Sequence, residues 1–123
     1  MPYRAEFYAR DNGKQPAKVF IYKDLSAEKR AVFVAAIKEI LLQQGKDVCQ
    51  SEYGKALGQG LFEFRVRDAE ATLRLYFYPH GDKMLLLLCG YDKGRFGSGR
   101  RERKAIEKAR KYLKDYRKNP PKS

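Results

Sequence analysis

Six consecutive apolar residues, Met84 to Cys89, constrain the fold of this chain more than any other segment. A run of this length is too short to cross a bilayer and is typical of a strand covered on both faces. Two alternating segments precede it. In 62–67 and again in 73–78, apolar residues take every second position, and charged or aromatic residues take the others. Because the connections between them are short, the three segments predict an antiparallel meander.

Further elements are predicted on the N-terminal side of the meander. Alternation in 3–9 indicates a strand. Pro16 is placed to open a short helix through Leu25, because proline at the first helical position loses no internal hydrogen bond. Ser26 is a suitable N-cap for a second helix, which carries an apolar stripe and is expected to stop at Gly45.

On the C-terminal side, apolar residues between Ala105 and Tyr116 fall at helical spacing among many basic ones, which predicts a basic amphipathic helix over 100–118. We therefore expect an α+β fold with a small, antiparallel-rich, four-stranded sheet. The N-terminal helices pack on one face of this sheet, and the other face stays partly open. Residues 1–118 are expected to form one domain and 119–123 a short basic tail.

The charge of the chain is concentrated at its C-terminal end. The formal net charge is +12, from 27 Lys or Arg and 15 Asp or Glu. Between residues 93 and 123 there are thirteen Lys or Arg and three Asp or Glu, so this quarter carries a net charge of +10. An excess of this size favours a polyanionic partner, and RNA is the one we expect.

Several classes of site are disfavoured by the composition. Cys49 and Cys89 match no metal-ligand spacing, and we interpret them as reduced thiols of a cytoplasmic protein. The N-terminus shows no signal peptide, and no membrane segment is apparent. His80 is the only histidine, which excludes a two-histidine ribonuclease site. The carboxylates are not clustered, so we expect neither a metal ion nor a small-molecule cofactor.

The alternation in the meander collects functional side chains on one face of the sheet. If the apolar set faces the helices, then Arg65, Arg67, Arg74, Tyr76 and Tyr78 share the opposite, solvent-facing side. Guanidinium groups bind phosphates in bidentate fashion, and tyrosines offer stacking planes for bases. The alternative is that these residues only keep a half-exposed sheet soluble, since both types are well tolerated in strands.

Three segments of this region resemble a known family. The letters KALGQGLFEFR at 55–65, LRLYF at 73–77 and LLCGYDK at 87–93 are similar to the phage-derived HigB-like branch of the RelE/ParE toxin superfamily. The resemblance covers roughly residues 50–115. It implies a RelE-like fold and a toxin of a type II toxin–antitoxin system, which is most often an endoribonuclease (an mRNA interferase) that cuts mRNA on the ribosome and so inhibits translation.

The resemblance also implies where the chemistry takes place. Arg65, Arg74 and Lys93 match basic positions of the family, whereas Gly94 stands where a second lysine is usual. A metal-free reaction would use the 2′-hydroxyl as the nucleophile, with Lys93 or a tyrosine, such as Tyr76 or Tyr91, as acid or base. We expect crowded cations to lower the pKa values of such groups.

The predicted RNA-binding residues lie beside these catalytic candidates and along the last helix: Arg67, Tyr78, Arg95, Arg100, Arg101, Lys104, Lys108 and Lys111. The implied partners are mRNA, the ribosome and a cognate antitoxin, an acidic or amphipathic segment of which is expected to cover the sheet face. Two other functions stay open. One is a ParE-like toxin that inhibits DNA gyrase, and the other is an RNA-binding module without catalysis.

Overall fold

The computed structural model describes residues 2–68, 71–96 and 99–119, and at positions 68, 71, 95 and 96 it describes the backbone alone. The strands are β1 (Arg4–Phe7), β2 (Gly54–Gly58), β3 (Leu61–Asp68), β4 (Ala71–His80) and β5 (Met84–Asp92). They form a single sheet in the order β1-β5-β4-β3-β2. β1 runs parallel to β5, and all other neighbours are antiparallel. The predicted meander of β3, β4 and β5 is therefore confirmed.

The N-terminal helices begin where the sequence places them. Helix α1 (Pro16–Val19) opens at the proline and continues as a π-helical turn, Phe20–Asp24. Helix α2 (Ala27–Ala36) is capped by Ser26, whose Oγ accepts a hydrogen bond of 3.2 Å from the Lys29 amide.

After α2 the chain stays helical through a second π-helical turn, Ile37–Leu41, and helix α3 (Leu42–Gln44). Gly45 has a φ of +58°, a conformation that favours glycine, and it ends α3 as predicted. A 3₁₀ helix, Gly45–Gln50, then leads to β2.

Two helices follow the sheet in the chain, α4 (Lys93–Phe96) and α5 (Gly99–Lys118). The predicted basic helix is therefore confirmed, and the short α4 comes before it. None of the helices in the described part of the chain has both the length and the apolar composition needed to span a membrane.

The sheet is buried on both faces. On one face, the N-terminal helices supply Phe20, Phe33 and Leu41 to a core that includes Phe64 and Leu75 of the sheet. On the other face, α5 packs its own apolar stripe onto the sheet. That second core contains Tyr8, Leu61, Tyr76, Met84, Leu86, Leu88, Cys89, Ala109, Leu113 and Tyr116. Each residue from Met84 to Cys89 is buried, as the continuous apolar run predicts.

Two expectations about the architecture are wrong. The sheet has five strands rather than four, because the short β2 beside the Gly58–Gly60 turn carries no clear alternation. The face opposite the N-terminal helices is not open, because α5 covers it. An amphipathic helix needs an apolar surface to bury its stripe, and this face of the sheet provides one.

Close packing at the centre of β5 depends on Gly90. An added Cβ at this position would lie 2.2 Å from Cδ2 of Phe20, which packs against the bare backbone. Gly90→Ala is therefore expected to lower the free energy of unfolding by about 1–3 kcal/mol, the usual cost of overpacking. Urea denaturation checks this, with the exposed Val32→Ala as the control. Equal stability of Gly90→Ala and the unmodified chain would contradict the contact.

Candidate nucleic-acid interface

The register of β3 and β4 decides which of the predicted site residues meet. Arg65 lies directly opposite Arg74, and Glu63 lies opposite Tyr76. Because opposite residues of an antiparallel pair share one face, two guanidiniums, one carboxylate and one phenol stand together. They stand on the face that α5 covers.

A buried carboxylate holds the two arginines. Only 2% of Glu63 is exposed. Its Oε2 lies 3.2 Å from Nε of Arg65, and its Oε1 lies 3.4 Å from Nη1 of Arg74. A buried charge without a partner is strongly destabilising. The folded state therefore favours positions of Arg65 and Arg74 that keep both guanidiniums close to the Glu63 carboxylate.

Helix α5 brings a second carboxylate to Arg74. Nη1 of Arg74 donates a hydrogen bond to Oε1 of Glu102, and Nζ of Lys93 lies 3.7 Å from Oε2 of Glu102. The side chains thus form a series of alternating positive and negative charge: Arg65, Glu63, Arg74, Glu102 and Lys93. We call these five residues the charge row. The row links β3, β4, α4 and the first turn of α5.

Burial and charge act against each other along the charge row. Burial raises the pKa of Glu63, although the neighbouring arginines pull it down. Burial also opposes ionisation of Glu102, but the hydrogen bond and charge of Arg74 hold the pKa of that carboxyl below its usual range. For Arg74, burial lowers the pKa, and the negative charges of Glu63 and Glu102 more than offset it, so the pKa is raised. Glu102 and Arg74 are therefore both ionised at neutral pH.

The two tyrosines proposed for catalysis have buried hydroxyl groups. Tyr76 is fully buried, and burial, followed by the charge of Glu63, raises the pKa of its phenol. The expectation that nearby cations lower this pKa is wrong, because burial outweighs the charge of Arg74. Among the described residues, the hydroxyl groups of Tyr76 and Tyr91 have no hydrogen-bond partner.

A cleft of about 440 Å³ opens at the end of the sheet where the charge row lies. Four cations line it: Arg65, Arg67, Arg74 and Lys93. The other lining residues are Ala36, Ile40, Glu52, Tyr53, Val66 and Thr72. We call this space the arginine cleft. The cleft lies next to the residues that immediately precede β2. There the amide of Arg65 donates a hydrogen bond of 2.7 Å to the carbonyl of Tyr53.

Other predicted residues lie outside the arginine cleft. Tyr78 lies near the opposite end of β4, with its ring 6.4 Å from that of Tyr116 and 4.9 Å from the guanidinium of Arg117. Tyr76 also lies outside the cleft. The prediction that Tyr76 and Arg74 face solvent is wrong, because only 0% and 6% of them are exposed, although Arg74 lines the cleft. Arg95 belongs to α4, but its side chain lies outside the described residues.

The basic residues predicted on the last helix lie at the surface. Arg100, Arg101, Lys104, Lys108 and Lys111 are all exposed along α5. The helix is held to the sheet mainly through its C-terminal half, where its buried residues Ala109, Leu113 and Tyr116 lie.

Three carboxylates of this region were missed by the sequence interpretation. Glu63 alternates with Arg65 on one strand, and this i, i+2 spacing of opposite charges could have indicated a pair on one face. Glu102 gave no such signal, because its partner depends on the packing of α5. Glu52 lies in a segment without periodicity. In the described ranges, no three His, Cys, Asp or Glu side chains are grouped so that they could hold a metal ion.

A model of the family described as phage-derived protein Gp49-like (DUF891) matches residues 22–114. This range is more than half of the chain, and it contains the whole charge row. The chain belongs to this Gp49-like family. The family is one of RelE-like toxins. No curated protein sequence matches the chain.

The depressed pKa of Glu102 makes the stability of this Gp49-like protein depend on pH. A carboxyl whose pKa is lowered by folding contributes stability above its unfolded pKa, near 4.5, and loses it as the pH falls through the folded value. Glu102→Gln removes this contribution. The variant is therefore expected to be less stable than the unmodified chain at pH 7, with a difference that shrinks by pH 3.

Urea unfolding of both proteins at the two pH values measures this change, and other titrating groups cancel in the comparison. Glu107→Gln, an exposed position on the same helix, serves as the control and should show no pH-dependent difference. A constant difference for Glu102→Gln would show that its ionisation does not stabilise the fold.

Proposed function

We propose that this chain is a HigB-like toxin of a type II toxin–antitoxin system that cleaves mRNA on the ribosome. The observation that carries the proposal is the convergence of four cations, Arg65, Arg67, Arg74 and Lys93, on one cleft. A phosphate that enters this cleft meets guanidiniums from two adjacent strands. Residues 1–118 would act as one toxin domain, with mRNA, the ribosome and an antitoxin as its partners.

The reaction would begin with attack of a ribose 2′-oxygen on the adjacent phosphorus. The bond to the 5′-oxygen then breaks, which leaves a 2′,3′-cyclic phosphate and a free 5′-hydroxyl. Arg74, together with Arg65, would stabilise the negative charge that develops on the phosphorane. Fixed donors of this kind are typically worth about 10²–10³ in rate.

Glu52 and Lys93 are the groups in the cleft best suited to proton transfer. Glu52 is exposed and has no ion-pair partner among the described residues, so its carboxylate can take the proton of the 2′-hydroxyl. The Lys93 ammonium, whose side chain is 41% exposed, can protonate the departing 5′-oxygen. Tyr76 is less suitable as a base, because it is buried under α5 and its pKa is raised.

Mapping of new mRNA 5′ ends shortly after induction of the protein in a bacterium tests the proposal. We expect ends that carry a 5′-hydroxyl, that are confined to translated frames and that recur with codon periodicity. Growth arrest with intact mRNA and halted DNA replication would replace this proposal with gyrase inhibition. Intact mRNA without arrest would leave only RNA binding.

A further inference from the structure

A second groove lies beside β5, and it shares no lining residue with the arginine cleft. Its volume is about 420 Å³. It lies between the N-terminal helical layer, represented by Phe20, and α5, represented by Ala105. Its floor is formed by Cys89, Gly90 and Tyr91 of β5.

The floor of this groove is a strand edge without a neighbour. β1 pairs only with the first part of β5, from Met84 to Leu87, and the last bond of this pairing runs from the Tyr8 amide to the Leu87 carbonyl, 2.9 Å away. Beyond Leu87, no strand of the described chain pairs with the outer side of β5. An edge of this kind offers both N–H and C=O groups to an incoming strand.

The walls of the groove are strongly basic. Arg10 and Lys14 line it from the segment before α1, and Arg101, Lys104 and Lys108 line it from α5. Among the described residues that line the groove, the one carboxylate is Asp24. Cations on both sides of an open strand edge favour an occupant that is both extended and negatively charged.

We propose that an extended acidic segment of a partner protein binds in this groove as an added strand along 88–92 of β5. A peptide backbone supplies donors and acceptors that match the strand edge, and its carboxylates meet the basic walls. The phosphates of a nucleic acid offer only acceptors and would leave the carbonyl groups of β5 unpaired. The identity of the partner rests on the proposed function: if the chain is a toxin of a toxin–antitoxin system, the partner is the antitoxin.

This assignment changes the expected mode of antitoxin binding. The sheet face that an acidic segment was expected to cover is already occupied by α5. The edge of β5 accepts a strand without displacing that helix.

The probe is a ten-residue peptide of alternating glutamate and valine with blocked ends, titrated at low salt onto the intact chain. A second peptide of equal charge carries an N-methyl group on every amide, so that neither of its edges can complete a strand pairing. We expect the first peptide to bind and to slow the hydrogen exchange of those amides in 88–92 that point away from β4. The methylated peptide should bind at least ten times more weakly.

Two double variants separate this site from general charge attraction. Lys104→Glu with Lys108→Glu changes the groove wall, whereas Lys114→Glu with Lys118→Glu makes the same charge change on α5 outside the groove. We expect the first pair to weaken binding at least tenfold and the second no more than about threefold. Both pairs are exposed, so neither should disturb the fold.

Several outcomes would overturn the proposal: no binding of the acidic peptide, equal binding of the methylated peptide, or equal effects of the two double variants. Protection of the same amides by a uridine decamer but not by the peptide would assign the groove to nucleic acid. These readouts do not depend on RNA cleavage. A failure here therefore leaves the mapping of mRNA ends as an independent test of the proposed function.

Discussion

Cleavage of ribosome-bound mRNA is expected to fall at least about 10²-fold when Arg74 is replaced by alanine, because the phosphorane then loses its central guanidinium. Arg74→Lys should recover little of this loss. An ammonium keeps the charge but not the planar pair of donors that binds a phosphate in bidentate fashion. Single-turnover cleavage rates measure both effects.

Arg74 also holds Glu63 and Glu102, so its replacement affects the fold as well as the chemistry. The cleavage rate of Arg74→Lys, compared with that of the unmodified chain, isolates the effect on the chemistry. Circular dichroism must first show that this variant is folded at the assay temperature. Arg103→Ala, an exposed arginine of α5, is the matched control and should keep the original rate. Full activity in Arg74→Ala would remove Arg74 from the mechanism.

The second large effect is expected in stability. Glu63→Ala leaves Arg65 and the buried Arg74 without their shared carboxylate, and the loss of one member of a buried ion pair typically costs about 3–5 kcal/mol. Urea denaturation measures the free energy of unfolding. Glu107→Ala removes an exposed carboxylate and should change it by less than about 0.5 kcal/mol.

A double variant shows whether the cost comes from the unpaired charge. Glu63→Leu with Arg74→Leu removes the two buried charges, and apolar replacement of a buried pair is often neutral. The charges that lose a partner, Arg65 and Glu102, have side chains that are 31% and 27% exposed and so can be hydrated. We therefore expect this double variant to be more stable than Glu63→Ala. If it is no more stable, packing rather than charge explains the effect of Glu63.

Much of the fold could be predicted because local patterns decide it. The alternation in 62–67 and 73–78 fixes two strands, since a slip of one residue would turn every apolar side chain to the wrong face. Ser26 and Gly45 mark the ends of the second helical segment through capping and a positive φ. Arg65, Arg67 and Arg74 of the arginine cleft were also predicted, because they share one side of that alternation, whereas Lys93 was predicted from the family resemblance.

The cover of the second sheet face could not be predicted from strand patterns alone. The continuous run Met84–Cys89 is typical of a strand covered on both faces, yet we expected this face to stay partly open. Neither that run nor the apolar stripe of α5 states which helix covers which strand. That pairing depends on contacts between distant segments, such as Arg74 with Glu102. For the same reason, the enclosure of Tyr76 became visible only in three dimensions.

The position of α5 has a consequence for synthesis of the chain. All five strands are synthesised before the twenty residues of α5 are complete. Until then Tyr76, Leu86 and Leu88 lack their cover, and exposed apolar side chains on a nascent sheet promote aggregation. Arg74 also lacks Glu102 during this interval. A chain interrupted before α5 would therefore present both an apolar sheet face and a guanidinium without its second carboxylate.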